Sequence, residues 1–237
     1  REKLRKTDGL FRGFPLKLRT FKRMRMATIT FYHDAGLTRQ ITAMLAFIQK
    51  NAGRCCRAFK YAFMERFDVP FLGAGVNAMV FRLNTRKVIR LEFDPSPNGH
   101  LKWVRYCLKH QTMQSIPRIY VACTVPEQER AVACLVTVTE LLIPLKKAGR
   151  EVFANRVQTA RGLHQFFFTP ASRLNAPKVL SRIEAGIRPP FQGMVVPHEY
   201  AAIKKSMKKF NDLHEDNMMI SPDKKRLVIT DPISAWS

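Results

Sequence analysis

Two short apolar runs bracketing a turn, with carboxylates and an amide at their ends, constrain this chain more than any other feature. The order is Asp212-Leu213-His214-Glu215-Asp216-Asn217, an apolar run over 218–221, a turn over 222–225, and a second run over 226–230 that leads into Asp231-Pro232. Apolar runs of this length around a proline-bearing turn predict a β-hairpin. A hairpin returns the chain to where it began, so Asn217 and Asp231 are expected close together, beside the loop that carries Asp212.

That set of groups suits phosphoryl transfer. The reaction needs a carboxylate beside the accepting hydroxyl and two oxygen ligands for metal near the β- and γ-phosphates. Far upstream, Leu72-Gly73-Ala74-Gly75-Val76-Asn77-Ala78-Met79-Val80 has the form G-x-G-x-x-A-x-V between two strand-like runs. Glycines let backbone N–H groups come close to phosphates. The segment precedes a strand with a basic residue, Arg90, as a phosphate-covering loop would.

The hydrophobic period changes along the chain. Residues 37–51 carry Leu37, Ile41, Met44, Leu45 and Ile48, and residues 55–67 carry Phe59, Ala62, Phe63 and Phe67 on one face, so each predicts a helix, with Gly53 as the stop between them. This pair is expected to cap a sheet. Runs at 71–83, 87–93, 118–124 and 131–142 predict strands, the first of them two, and residues 101–111 predict a helix. Past Pro144 the pattern is helical over 151–167 and 198–210, while the proline-rich 170–197 reads as an irregular insert. Phe166, Phe167 and Phe168 are expected in the core or a lobe contact, and Lys204, Lys205, Lys208 and Lys209 along an exposed helix face.

The chain holds 41 Lys and Arg against 18 Asp and Glu, a formal charge of +23, which favours anionic partners such as nucleotides, acidic protein segments and nucleic acid. The first 26 residues form a basic arm with interleaved aromatics, read either as a solvated or partly docked extension or as a grip on phosphates or an acidic partner. Five cysteines without a C-x-x-C pair argue against a zinc site or disulfide framework and for a reducing interior. No run reaches the length of a membrane span, and the basic start lacks the apolar core of a secretory signal.

Taken together, the motifs resemble the protein-kinase-like superfamily, and within it the early Ser/Thr protein kinases of short-tailed lytic bacteriophages. The resemblance is carried by Leu72-Gly73-Ala74-Gly75, Val88-Ile89-Arg90-Leu91, Ile116-Pro117-Arg118-Ile119-Tyr120, the run from Asp212 to Met219, and Ile229-Thr230-Asp231-Pro232-Ile233-Ser234, and it spans residues 71–234. It implies an α+β, two-lobed fold: a small antiparallel sheet lobe, a reduced helical lobe and a helical N-terminal extension, divided at 1–68, 69–143 and 144–237. It also implies the cofactors ATP and Mg2+. Asp212 would be the catalytic base with His214 beside it, and Asn217 and Asp231 the metal ligands. Gly73, Gly75 and Ala78 would cover the phosphates, Val80 would follow them, and Arg90 would hold phosphate oxygens. Glu140, Leu141 and Leu142 would form the hinge that reads adenine. Implied partners are host proteins, RNA polymerase among them, in the host cytoplasm; the basic surface adds nucleic acid, and no membrane is implied.

The chain departs from the family pattern in three informative places. Arg90 stands where most kinases have Lys, and a planar fork seats differently from an ammonium. Residues 101–111 contain no acid to pair with it, and the nearest, Glu92, is off-register. His214 replaces the usual Lys, a choice shared with small-molecule kinases. Two alternatives therefore stand beside an active protein kinase. One is a catalytically impaired pseudokinase that binds an acidic host protein or nucleic acid. The other is a small-molecule phosphotransferase with its pocket drawn from 151–197.

Overall fold

The computed structural model describes residues 35–51, 56–75, 77–95, 99–127, 132–148, 152–206 and 215–231. The basic arm, Gly53, Val76, Lys208, Lys209, Asp212 and His214 lie outside these residues.

Helix α1 (Ala35–Asn51) buries Leu37, Ile41, Met44, Leu45 and Ile48, and α2 (Cys56–Phe67) buries Phe59 and Phe63. The spacing i, i+4, i+7, i+8, i+11 in α1 puts its apolar residues on one stripe. Both stripes press on a five-stranded antiparallel sheet formed by β1 (Phe71–Ala74), β2 (Ala78–Arg82), β3 (Lys87–Phe93), β4 (Ile119–Val125) and β5 (Cys134–Glu140), in spatial order β1-β2-β3-β5-β4. Phe63 meets Phe81 of β2 at 4.8 Å and Phe59 meets Phe93 of β3 at 5.3 Å between ring centroids. Burying each such side chain contributes about 1.5–3 kcal/mol, so the helical pair is welded to the sheet through one shared core, as the periodicity predicts.

Strand alternation then assigns the two faces. Met79, Phe81, Ile89, Leu91, Val136 and Val138 point into the core with α1 and α2. The intervening residues must face the other way. On that side lies α3 (His100–Lys109), which buries His100, Trp103, Val104 and Cys107 at helical spacing. Its core continues into the rest of the chain.

That remainder comprises β6 (Ile143–Pro144), α4 (Arg156–Phe168), α5 (Ala176–Ala185), α6 (Pro197–Ser206), β7 (Met218–Ile220) and β8 (Leu227–Ile229). Strands β6, β7 and β8 form a small antiparallel sheet in that order, so the predicted hairpin gains an unpredicted edge partner. Pro144 is tolerated there because an edge strand has a side without ladder bonds.

Two expectations about helices are corrected. The helix expected over 151–167 begins at Arg156, because the Asn155 side chain accepts from the Gln158 N–H at 3.0 Å and sets the N-terminus there. The proline-rich insert is not irregular throughout. It contains α5, capped by Asn175, which accepts from Lys178 N–H at 3.2 Å, with Pro177 in the first turn. Proline in that place starts a helix rather than breaking one.

Helices α4 and α5 pack at glycine contact: a Cβ on Gly162 would lie 2.5 Å from Ile183 Cγ1, and one on Gly186 2.2 Å from Thr159 Oγ1. Lys204 of α6 is not a free surface charge. Its Nζ donates to the Phe166 and Thr169 carbonyls at the C-terminal end of α4, and burial pulls its pKa down. Phe166 and Phe167 are buried, whereas Phe168 is exposed and stacks on His164. Cys107, Cys123 and Cys134 are free and buried, and burial pushes the Cys123 thiol up to about 12, so these three act as small hydrophobes.

Six α-helices and two antiparallel sheets among the described residues make this an α+β fold, compatible with a two-lobed kinase-like architecture. No described helix is long and apolar enough to cross a membrane.

Candidate functional site

Ladder register decides which side chains share the sheet face turned away from α1 and α2. Val80 pairs with Arg90, Arg90 with Thr137, and Ala78 with Glu92. Directly opposed residues of an antiparallel sheet lie on one face, so Ala78, Val80, Arg90, Glu92 and Thr137 form a patch there. Of these, Arg90 is the only cation.

The β7–β8 hairpin brings Asp231 to that patch. Its ladder runs from Ile220 opposite Leu227 to Met218 opposite Ile229, and continues with the Thr230 N–H donating to the Asn217 carbonyl at 2.9 Å. Asn217 and Asp231 therefore sit at the same end of the hairpin. Asn217 closes a 3₁₀ turn, Glu215–Asn217, in which Asp216 pairs with Lys146 at 2.6 Å on the surface. The Ile229 N–H donates to the Ser115 carbonyl at 2.9 Å, and this ties the hairpin to the loop between α3 and β4. Glu199 of α6 holds the same loop, its carboxylate accepting from the Gln114 and Ser115 N–H groups at 2.8–2.9 Å.

Both carboxylate oxygens of Asp231 are engaged. Arg90 Nη2 donates to Oδ2 at 2.7 Å, and the His100 Nδ1 lies 3.0 Å from Oδ1. Arg90 Nη2 also reaches Glu92 Oε2 at 3.4 Å, while its Nε is buried with no partner among the described residues. Burial alone would push the Asp231 carboxyl up. The His100 ring and the Arg90 guanidinium beside it overcome this and hold it well below the usual carboxylate range. Asp231 is thus an anion at any physiological pH.

The acid that α3 lacks is supplied by β3 itself. Glu92 looks off-register for a helix-borne partner, but two residues along a strand return to the same face, and it braces Arg90 from there. His100 was missed by sequence reasoning. A lone histidine opening a helix has no local signature, and its contact is with a residue 131 positions away.

The other expected residues fall as follows. Gly73 pairs with Val80 in the β1–β2 ladder, and the Gly75 N–H donates to the Ala78 carbonyl at 2.9 Å, closing the turn. Neither glycine has a positive φ, and a Cβ at either would meet nothing within 4 Å among the described residues. Nothing inside the described fold requires glycine there. At the end of β5, the Glu140 side chain accepts from the Arg118 N–H at 2.9 Å and from the Arg226 guanidinium, the latter from the β7–β8 turn. The Glu140 N–H donates to Arg118 O and the Leu141 N–H to Arg86 O, so these two amides are used within the protein. Leu142 is buried. Asp212 and His214 lie outside the described residues, and no group of three His, Cys, Asp or Glu side chains converges as a metal site among those that are described.

No protein-family model matches the chain, and no curated protein matches it. Among solved structures the chain is similar to a glucosamine kinase (crystal form B), with 10% sequence identity and a TM-score of 0.30, over 70% of this chain and 50% of that one. The chain thus spans about half the length of that kinase.

Proposed function

We propose that the chain is an ATP-dependent phosphotransferase of the kinase-like type, acting on Ser/Thr hydroxyls of host proteins during bacteriophage infection. The observation that carries this reading is the meeting of Asp231, held ionised at the end of a hairpin, with Arg90 on the face of the glycine-loop sheet turned away from α1 and α2. The division into 1–68, 69–143 and 144–237, the host-cytoplasmic setting, and RNA polymerase or nucleic acid as partners belong to the same proposal.

The residues fit Mg-ATP in kind. Asp231 and Asn217 offer hard oxygen donors at one hairpin end, as magnesium prefers. Among the described residues, the buried Arg90 Nε is an unspent donor and no side chain would crowd a ligand at Gly73 and Gly75. Bound Mg-ATP supplies the phosphoryl group and neutralises its charge. In this reading Asp231 and Asn217 hold the metal and Arg90 holds phosphate oxygens, releasing its contact with Asp231 to do so. Gly73, Gly75, Ala78 and Val80 cover the nucleotide, and the segment Glu140 to Leu142 borders the adenine. Asp212 takes the acceptor hydroxyl proton, with His214 bracing it.

One observation favours a second reading, a pseudokinase that works by binding. Both oxygens of Asp231 are already satisfied by side chains, so Arg90 and Asp231 neutralise each other. Labelled ATP with magnesium and host extract separates the two. Phosphate transfer that disappears in Asp212→Ala and Asp231→Ala is expected. Full activity in those variants overturns the site, and salt-sensitive partner binding with no nucleotide response selects the pseudokinase. Transfer to small alcohols but not to proteins selects a small-molecule enzyme instead.

A further inference from the structure

The carboxylate of Asp231 is gripped from two elements that are distant in sequence, and the two grips are not equivalent. Arg90 stands on a strand with its side chain 25% exposed, and its guanidinium also touches Glu92. His100 is buried, stands in the first turn of α3, and is carried by a helix anchored through Trp103, Val104 and Cys107. An ionised carboxylate only accepts hydrogen bonds, so at 3.0 Å the His100 Nδ1 must carry the hydrogen. The geometry is that of a helix-borne donor on one oxygen and a strand-borne cation, shared with Glu92, on the other.

We propose that His100 is a positioning residue for the metal-binding carboxylate, an inference that rests on the nucleotide reading of the site. The Nδ1–H on Oδ1 holds the Asp231 carboxylate plane, so that Oδ2 is the oxygen presented toward Arg90 and the phosphate side. When Arg90 turns to phosphate, Oδ2 becomes available to a cation and Oδ1 stays anchored. Helix α3, which carries no acid to pair with Arg90, is in this way coupled to the site through Asp231. Outer partners that orient metal-binding carboxylates are commonly worth 10- to 100-fold in metal affinity.

The test compares wild type, His100→Leu and His100→Asn. Leucine fills similar space without a donor, whereas the asparagine Nδ2 lies at the branch point occupied by the histidine Nδ1. Manganese binding in the presence of a non-hydrolysable ATP analogue, followed by electron paramagnetic resonance, reads metal affinity without turnover. In the transfer assay, the magnesium concentration for half-activity is read apart from kcat. His100→Leu is expected to weaken manganese binding by about tenfold, with ATP-analogue binding in the absence of metal unchanged, and His100→Asn to recover most of the loss. Wild-type affinity in His100→Leu overturns the inference while leaving the nucleotide reading intact. A wild-type chain that binds neither manganese nor the analogue overturns both. Should His100→Leu fail to fold, the imidazole nitrogen spectrum of the wild-type chain decides. Hydrogen on Nδ1 before and after metal addition is expected, and a ring protonated on Nε2 alone overturns the assignment.

Discussion

Arg90 of β3 and Asp231, just past β8, stand 141 residues apart in the chain and meet at 2.7 Å. This contact joins the five-stranded sheet to the small hairpin sheet. A second tie, Glu140 to Arg226, joins the same two sheets from the turn end of the hairpin. Each end of β7–β8 is therefore fastened to the sheet by an ion pair.

The Asp231 contact makes stability depend on acidity. The folded-state pKa of Asp231 lies below the unfolded value of about 3.9, so the stabilisation is present above that value and is lost as pH falls below it. Asp231→Asn is expected to cost about 1–2 kcal/mol at pH 7. The gap from wild type should shrink as urea melts are taken from pH 5 down to pH 3. A gap that stays constant over that range would show that the carboxylate charge is not the source.

Gly73 and Gly75 should separate stability from ligand binding. Because a Cβ at either position meets nothing among the described residues, Gly73→Ala and Gly75→Ala are expected to leave stability unchanged or raise it by up to about 1 kcal/mol. Nucleotide affinity should fall by about tenfold, the worth of one displaced hydrogen bond. Thermal melts beside fluorescent-nucleotide titration check both halves. A large drop in melting temperature would assign the glycines an internal role instead.

The α4–α5 contact predicts an order between two other glycines. A methyl on Gly186 would meet Thr159 Oγ1 at 2.2 Å and the Asn155 backbone carbonyl at 2.8 Å, while one on Gly162 meets chiefly the Ile183 Cγ1 at 2.5 Å. Backbone cannot step aside as a side chain can. Gly186→Ala should therefore cost about 1–3 kcal/mol and Gly162→Ala less, by chemical denaturation. The reverse order would refute this packing.

Glu199 anchors the loop between α3 and β4 through charge-assisted bonds to two amides. Removing the acceptor in Glu199→Ala should cost about 2–3 kcal/mol, and Glu199→Gln, which keeps one oxygen, roughly half as much. Hydrogen exchange at the Gln114 and Ser115 amides is the direct readout. Unchanged protection there in Glu199→Ala would sink the idea.

Most of the element order was legible because burial imposes a period on local sequence. The stripe of α1, the paired phenylalanines of α2 and the alternating β3 each declare their partner face before any partner is known. The β7–β8 hairpin is equally local, since two apolar runs around Pro222 can close with little loop entropy. The places where the reading failed are those in which one residue outweighs the period. Asn155 starts α4 later than Val152 and Phe153 suggest, and Asn175 with Pro177 starts α5 inside a stretch whose prolines read as breakers.

The sequence alone determined that a glycine turn precedes the β3 strand bearing Arg90, and that a hairpin carries Asn217 and Asp231 to one end. It held no sign that Arg90 would rest on Asp231 or that His100 would take the other carboxylate oxygen. Those pairings come from the docking of α3 and the hairpin on one face of the sheet. Docking depends on the packing of side chains far apart in the chain, and a periodic pattern records which face is buried but not what lies across from it.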